Sequence, residues 1–155
     1  MSESICLIAN VGQRDLALGK DAEGALEPGL LSELASLRSA KPPDLRSWAG
    51  RIAEAYDALK ACLDAPIIAP ALRSLVQEGQ PPARIVLVGT KQPDNAFVPG
   101  DTFKCAEVLA RLLPERLGCA TPEVRLVRDN PGDLNAMLGA YKDIVGDIDA
   151  EAAYV

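Results

Sequence analysis

Residues 5–15 read Ile5-Cys6-Leu7-Ile8-Ala9-Asn10-Val11-Gly12-Gln13-Arg14-Asp15. An apolar run stops at Gly12 and gives way at once to an amide, a cation and an acid. A strand apolar on every residue is one covered on both faces, the habit of parallel sheets. Arg84-Ile85-Val86-Leu87-Val88 has the same character. Val124-Arg125-Leu126-Val127 alternates at its start, as a strand nearer an edge does.

Helical patterns lie between these runs. From Leu45, apolar residues recur at Trp48, Ile52, Tyr56, Leu59 and Leu63, one face of about five turns. Asp44 supplies an N-cap and Pro42-Pro43 the turn before it. Residues 71–77 read as a second helix, with Pro66 and Pro70 interrupting the approach. Asp101-Thr102 open a helix through Phe103, Ala106, Leu109 and Leu113 that ends at Pro114 or Gly118. Asn130-Pro131 offer a cap and a first-turn proline for a helix bearing Leu134, Leu138, Tyr141 and Val145. Residues 19–29, 39–44 and 78–83 read as exposed loops.

The order is strand, long helical insert, strand, helix, strand, helix. Such alternation specifies parallel strands joined by right-handed crossovers. The fold expected is α/β, a Rossmann-like three-layer sandwich with a mainly parallel sheet and a long helical insert after the first strand. At 155 residues the chain has room for one domain.

Apolar residues make up 48% of the chain, which argues for a folded core, and aromatics only 4%, so Leu, Ile, Val and Ala must build it. No apolar run approaches the roughly 18 residues needed to cross a bilayer. The N-terminus lacks the pattern of a secretory leader, and a cytoplasmic location is expected. The net charge of −6 repels a polyanion at long range and disfavours duplex DNA as a partner. Cys6, Cys62, Cys105 and Cys119 form no C-x-x-C pair and read as free thiols rather than a zinc site. With no histidine in the chain, Ser-His-Asp and Cys-His catalysis are excluded. No cofactor is expected.

In an open parallel sheet, ligands bind beyond the carboxyl ends of the strands. The segments there are Asn10-Val11-Gly12-Gln13-Arg14-Asp15, Gly89-Thr90-Lys91-Gln92 and Arg128-Asp129-Asn130, each polar and each with a cation. Glycines at two of them let backbone amides approach a ligand. Asn10, Gln13, Thr90 and Gln92 suit the edges of a base or ribose, and Arg14 and Lys91 suit phosphate. The helix opening at Asp101-Thr102 aims its free amides at the same crevice. Neither G-x-G-x-x-G nor G-x-x-x-x-G-K-[ST] is present, so a dinucleotide cofactor fits less well than a compact nucleotide-like anion. Taken singly, each residue has an ordinary structural reading as a turn, cap or surface ion pair. Their convergence at one sheet edge is what favours a ligand.

Residues 8–16, Ile8-Ala9-Asn10-Val11-Gly12-Gln13-Arg14-Asp15-Leu16, resemble the first strand and loop of CRISPR-associated Rossmann fold (CARF) sensor domains. Leu87-Val88-Gly89-Thr90-Lys91-Gln92 followed by Asp101-Thr102-Phe103 resembles that family's second strand and next helix. The likeness covers the first strand and residues 84–148, while residues 22–82 carry little of it. The resemblance implies a homodimer that binds a cyclic oligoadenylate second messenger of type III CRISPR antiviral defence across its two-fold axis. It implies ligand contacts from Asn10, Val11, Gly12, Gln13, Arg14 and Asp15, from Thr90, Lys91 and Gln92, and from Asp101 and Thr102.

The family pattern has a further strand ending in a Gly-Gly-Thr-like loop, often followed by an effector such as a ribonuclease. Neither lies within residues 1–155. The expectation is a single sensor domain that is either part of a longer sensor-effector or completed by a partner, or one with an extra short strand near residues 65–69. Two other functions compete with sensing. One is a metal-independent ring nuclease, in which a positioned ribose 2′-hydroxyl attacks in line while Arg14 or Lys91 stabilises the phosphorane. The other is an interaction subunit that binds no nucleotide.

Overall fold

The computed structural model describes residues 4–19, 24, 26–91, 100–128 and 133–152, the side chains of 149–152 excepted. Strand β1 (Cys6–Asn10) is followed by a two-residue strand β2 (Ala17–Leu18), helices α1 (Pro28–Ser39), α2 (Leu45–Glu54) and α3 (Tyr56–Leu59), and strand β3 (Leu63–Asp64). Then come α4 (Ile68–Gln77), β4 (Arg84–Thr90), α5 (Phe103–Leu117), β5 (Glu123–Val127) and α6 (Leu134–Ala152). The result is a mixed α/β protein built on a parallel three-stranded sheet of order β1-β4-β5.

The central strand explains the continuous apolar run. Ile85 and Leu87 point to one face, Val86 and Val88 to the other, and all four are at most 1% exposed. The first face packs against α2, α4 and α5 through Leu45, Ile52, Leu72, Leu109 and Leu112. The second packs against α6 through Ile144 and Ile148, with Val127 of β5 completing it. Helices therefore cover both faces, and β1 and β5 form the edges. At the amino ends, Arg84 grips Glu123 through two hydrogen bonds of 2.7 and 2.9 Å and so ties β4 to β5.

Four expectations need correction. The five-turn helix from Leu45 breaks at Ala55: α2 ends at Glu54, α3 is a single turn, and Leu63 belongs to β3. The extra strand near 65–69 does not form, because Ile68 and Ala69 open α4; β3 lies just before it and pairs antiparallel with β2 in a separate ribbon. Helix α1 starts at Pro28, inside the stretch 19–29 that reads as a loop, and runs to Ser39, where a loop is expected to begin; its N-cap, Glu27, makes no side-chain cap. On α6, Leu134, Leu138 and Val145 are exposed, and Ile144 and Ile148 make the core contact instead. Asp44 caps α2 by accepting from the Ser47 amide at 3.0 Å, as its position predicts. Pro114 lies inside α5, which ends at Gly118 with φ 62°. No helix among the described residues is long and apolar enough to cross a membrane.

Candidate functional site at the carboxyl ends of the strands

Asn10 ends β1 and is exposed; Val11 continues the ladder by donating to the Val88 carbonyl at 2.9 Å. The Val11 side chain is 2% exposed and belongs to the core, so this residue offers the rim its backbone alone. The chain then turns. Asp15 is 6% exposed, and its carboxylate accepts from the Gly12 amide at 2.6 Å, while its own amide donates to the Gly12 carbonyl. This closed turn leaves Gln13 and Arg14 exposed at its tip.

A helix outside the sheet also holds the tip. Arg38, near the end of α1, donates from Nη2 to the Gln13 carbonyl and lays its guanidinium over the Trp48 ring, 4.8 Å from the centroid. Under the turn sits Cys105 of α5, 1% exposed; burial pushes its thiol up to about 12, with Arg38 drawing it down and Asp15 raising it further. Such a thiol stays protonated and is a packing group, not a nucleophile.

Thr90 and Thr102 form the second part of the rim. The Thr90 amide donates to the Thr102 hydroxyl and the Thr102 amide donates to the Thr90 hydroxyl, each at 3.1 Å. This reciprocal pair pins the start of α5 to the end of β4. It occupies both hydroxyls, which are buried, so their role is to hold the backbone. Asp101 is 1% exposed beside them. Lys91 donates its amide to the Val127 carbonyl and carries its ammonium 5.1 Å from the Phe103 centroid. Gln92, Asp129 and Asn130 lie outside the described residues.

The expectation for Gly89 changes. A Cβ there would stand 2.9 Å from Phe103 Cα and 3.3 Å from Ala106 Cβ, so the missing side chain makes room for α5, not for a ligand.

Two cations absent from the sequence reading join Lys91 at Phe103. Arg46, in the first turn of α2, sits 5.3 Å from the ring centroid, and Lys104, in the first turn of α5, sits 5.6 Å from it while pairing with Glu107 at 3.1 Å. Their positions show that the first turns of both helices meet at the Phe103 ring. Both lie in helices whose charged residues read as a solvated face, so only packing reveals their meeting. The rim is thus locally cationic on a protein of net charge −6.

An apolar cavity of about 420 Å³ opens at the opposite end of the sheet, between Leu72, Val76, Pro81, Pro82 and Leu117. It borders the residues that precede β4 and β5, away from the glycine turn and the clustered cations. The strand-end rim remains the better-equipped candidate, because polar backbone, helix amides and three cations converge there. Comparison of the chain with protein-family models, curated protein sequences and solved structures returns no match.

Proposed function

We propose that this protein is a Rossmann-like sensor of the CARF type, which binds a cyclic oligoadenylate over the carboxyl ends of β1 and β4 and acts as a homodimer. The observation that carries the reading is the construction of the rim. A parallel sheet presents two adjacent strand ends, one finished by a carboxylate-closed glycine turn and the other locked by the Thr90–Thr102 pair to a helix N-terminus. The N-terminus of α5, an exposed Asn10 and Gln13, and the cations Arg14 and Lys91 suit a ligand of alternating bases and phosphates. The motif resemblance in residues 8–16 and 87–103 supplies the identity of that ligand. The proposed mechanism is binding alone: Arg14 and Lys91 meet phosphate, and Asn10 and Gln13 meet base or ribose.

Calorimetric titration with cyclic tetra- and hexa-adenylate tests this. Wild type binds one of the rings, and Arg14→Ala or Lys91→Ala weakens binding by about 1.5–3 kcal/mol, the loss of a charge-assisted hydrogen bond. Recovery of the ring intact keeps the sensor reading, and a linear product replaces it with the ring nuclease. Absence of binding to either ring removes both.

A further inference from the structure

Arg38 is a residue that no strand-end motif predicts, and its bonding is unusual. One terminal nitrogen, Nη2, donates to the Gln13 carbonyl at the tip of the β1 turn. The guanidinium plane covers the ring of Trp48, a residue of α2 that is 3% exposed and the only tryptophan of the chain. The other nitrogen, Nη1, is buried and has no hydrogen-bond partner among the described residues. A buried donor without an acceptor is costly, and a guanidinium keeps such a position only where its surroundings hold it there. Here the holders are the Gln13 carbonyl on one side and the Trp48 ring on the other.

The consequence is mechanical. Gly12 and Asp15 close the foot of the turn, and Arg38 holds its tip. Gln13 and Arg14 cannot move toward a ligand without pulling the Gln13 carbonyl against Arg38. Arg38 in turn cannot move without uncovering Trp48. The turn is therefore joined to two helices of the insert, α1 through Arg38 and α2 through Trp48.

We infer that Arg38 is the positioning residue of the β1 turn and couples its occupancy to the helical insert, with Trp48 as the built-in reporter. The identity of the occupant rests on the sensor reading above; the coupling rests on the Gln13–Arg38–Trp48 chain alone.

Tryptophan emission tests it in two arms. In the first, cyclic tetra- or hexa-adenylate, whichever calorimetry shows to bind, changes Trp48 emission in wild type. Arg38→Met binds that ring about tenfold more weakly and abolishes the emission change, and Arg38→Lys, which keeps the charge but not the planar fork, restores the change only in part. In the second arm no ligand is used. Asp15→Ala opens the foot of the turn and alters both Trp48 emission and amide exchange in α1, and the same substitution in the Arg38→Met background alters neither. Circular dichroism confirms that each variant is folded.

If the ring binds while Trp48 stays silent, or if Asp15→Ala acts equally in both backgrounds, the coupling is overturned and the sensor reading stands. If neither ring binds while Asp15→Ala reaches Trp48 only through Arg38, the coupling stands and the sensor reading falls.

Discussion

Gly89 occupies a place where a methyl group has no room. The nearest obstacle is backbone, Phe103 Cα at 2.9 Å, which cannot rotate aside as a side-chain tip can. Gly89→Ala must push α5 away from β4 or bend the strand, and overpacking of this kind costs about 1–3 kcal/mol. Thermal melting reads the loss directly. On the proposed sensor function, ring binding weakens in parallel, because Phe103 carries the cations of the rim with it. Gly50 in α2 is the control. Nothing lies within 4 Å of a Cβ placed there, so Gly50→Ala should stabilise by about 0.5–1 kcal/mol through helix propensity. If both substitutions moved the melting temperature alike, the close approach of β4 and α5 would not be a constraint. The same pair also separates what sequence reading can see from what it cannot. Gly89 follows an apolar strand and reads as a loop glycine, yet the neighbour that excludes a side chain is 14 residues further along the chain.

Elements with a strong local signal were legible. The apolar runs at 5–9, 84–88 and 124–127 became β1, β4 and β5, within two residues at each end. Asp44 and Gly118 marked real helix boundaries because capping is local chemistry. The β2–β3 ribbon was invisible, since two residues per strand carry no period and only tertiary contact makes them pair. Helix α1 gives little local signal for a related reason: it buries a single residue, Leu34, and starts without a side-chain cap. In the site, residues contiguous with strand ends were legible, whereas Arg38, Arg46 and Lys104 came from helices that folding delivers. The β4–β5 pair supports a prediction of its own. Hydrogen bonds from Arg84 hold the Glu123 carboxyl below its ordinary value of 4.5, with the Arg84 and Arg125 charges adding to the effect. A depressed carboxyl contributes stability above its unfolded pKa and loses it as pH falls through the folded value. Stability should therefore fall below about pH 4.5, and Glu123→Gln should flatten that part of the acid limb. Because the Glu123 side chain is 42% exposed, the effect is small and best seen at low salt. Denaturant midpoints of the two proteins from pH 6 to pH 3 test it; parallel acid limbs would show that Glu123 has no part in the slope.

At the scale of the molecule, the sheet divides the interior unequally. One face joins β4 to α2, α4 and α5 in a continuous cluster that includes Leu45, Ile52, Leu72, Leu109 and Leu112, each at most 1% exposed. The other rests on Val86, Val88, Val127, Ile144 and Ile148, and the helix that covers it leaves Leu134 71% and Leu138 51% exposed. Hydrophobic stabilisation scales with apolar area removed from water, so α6 is held by much less than α5. A helix anchored by few buried contacts opens at a lower free energy than the whole chain. Native-state hydrogen exchange should show α6 amides exchanging through such a sub-global opening, while α5 amides wait for global unfolding. Two truncations sharpen the test. Leu109→Ala, at the centre of the larger cluster, should cost about 2–5 kcal/mol and lower the protection of α5 by that amount. It should leave the opening free energy of α6 nearly unchanged, because Leu109 stays packed when α6 opens. Ile144→Ala should lower the protection of both helices by a similar amount, because its contact is lost in the sub-global and the global opening alike. If Leu109→Ala lowered both helices equally, the thin face would belong to one cooperative unit with the thick one, and the strand-end rim would then stand or fall with α6. If Leu109→Ala lowers α5 alone, the rim rests on the larger cluster, since Val11, Leu16 and Cys105 beneath it all belong there.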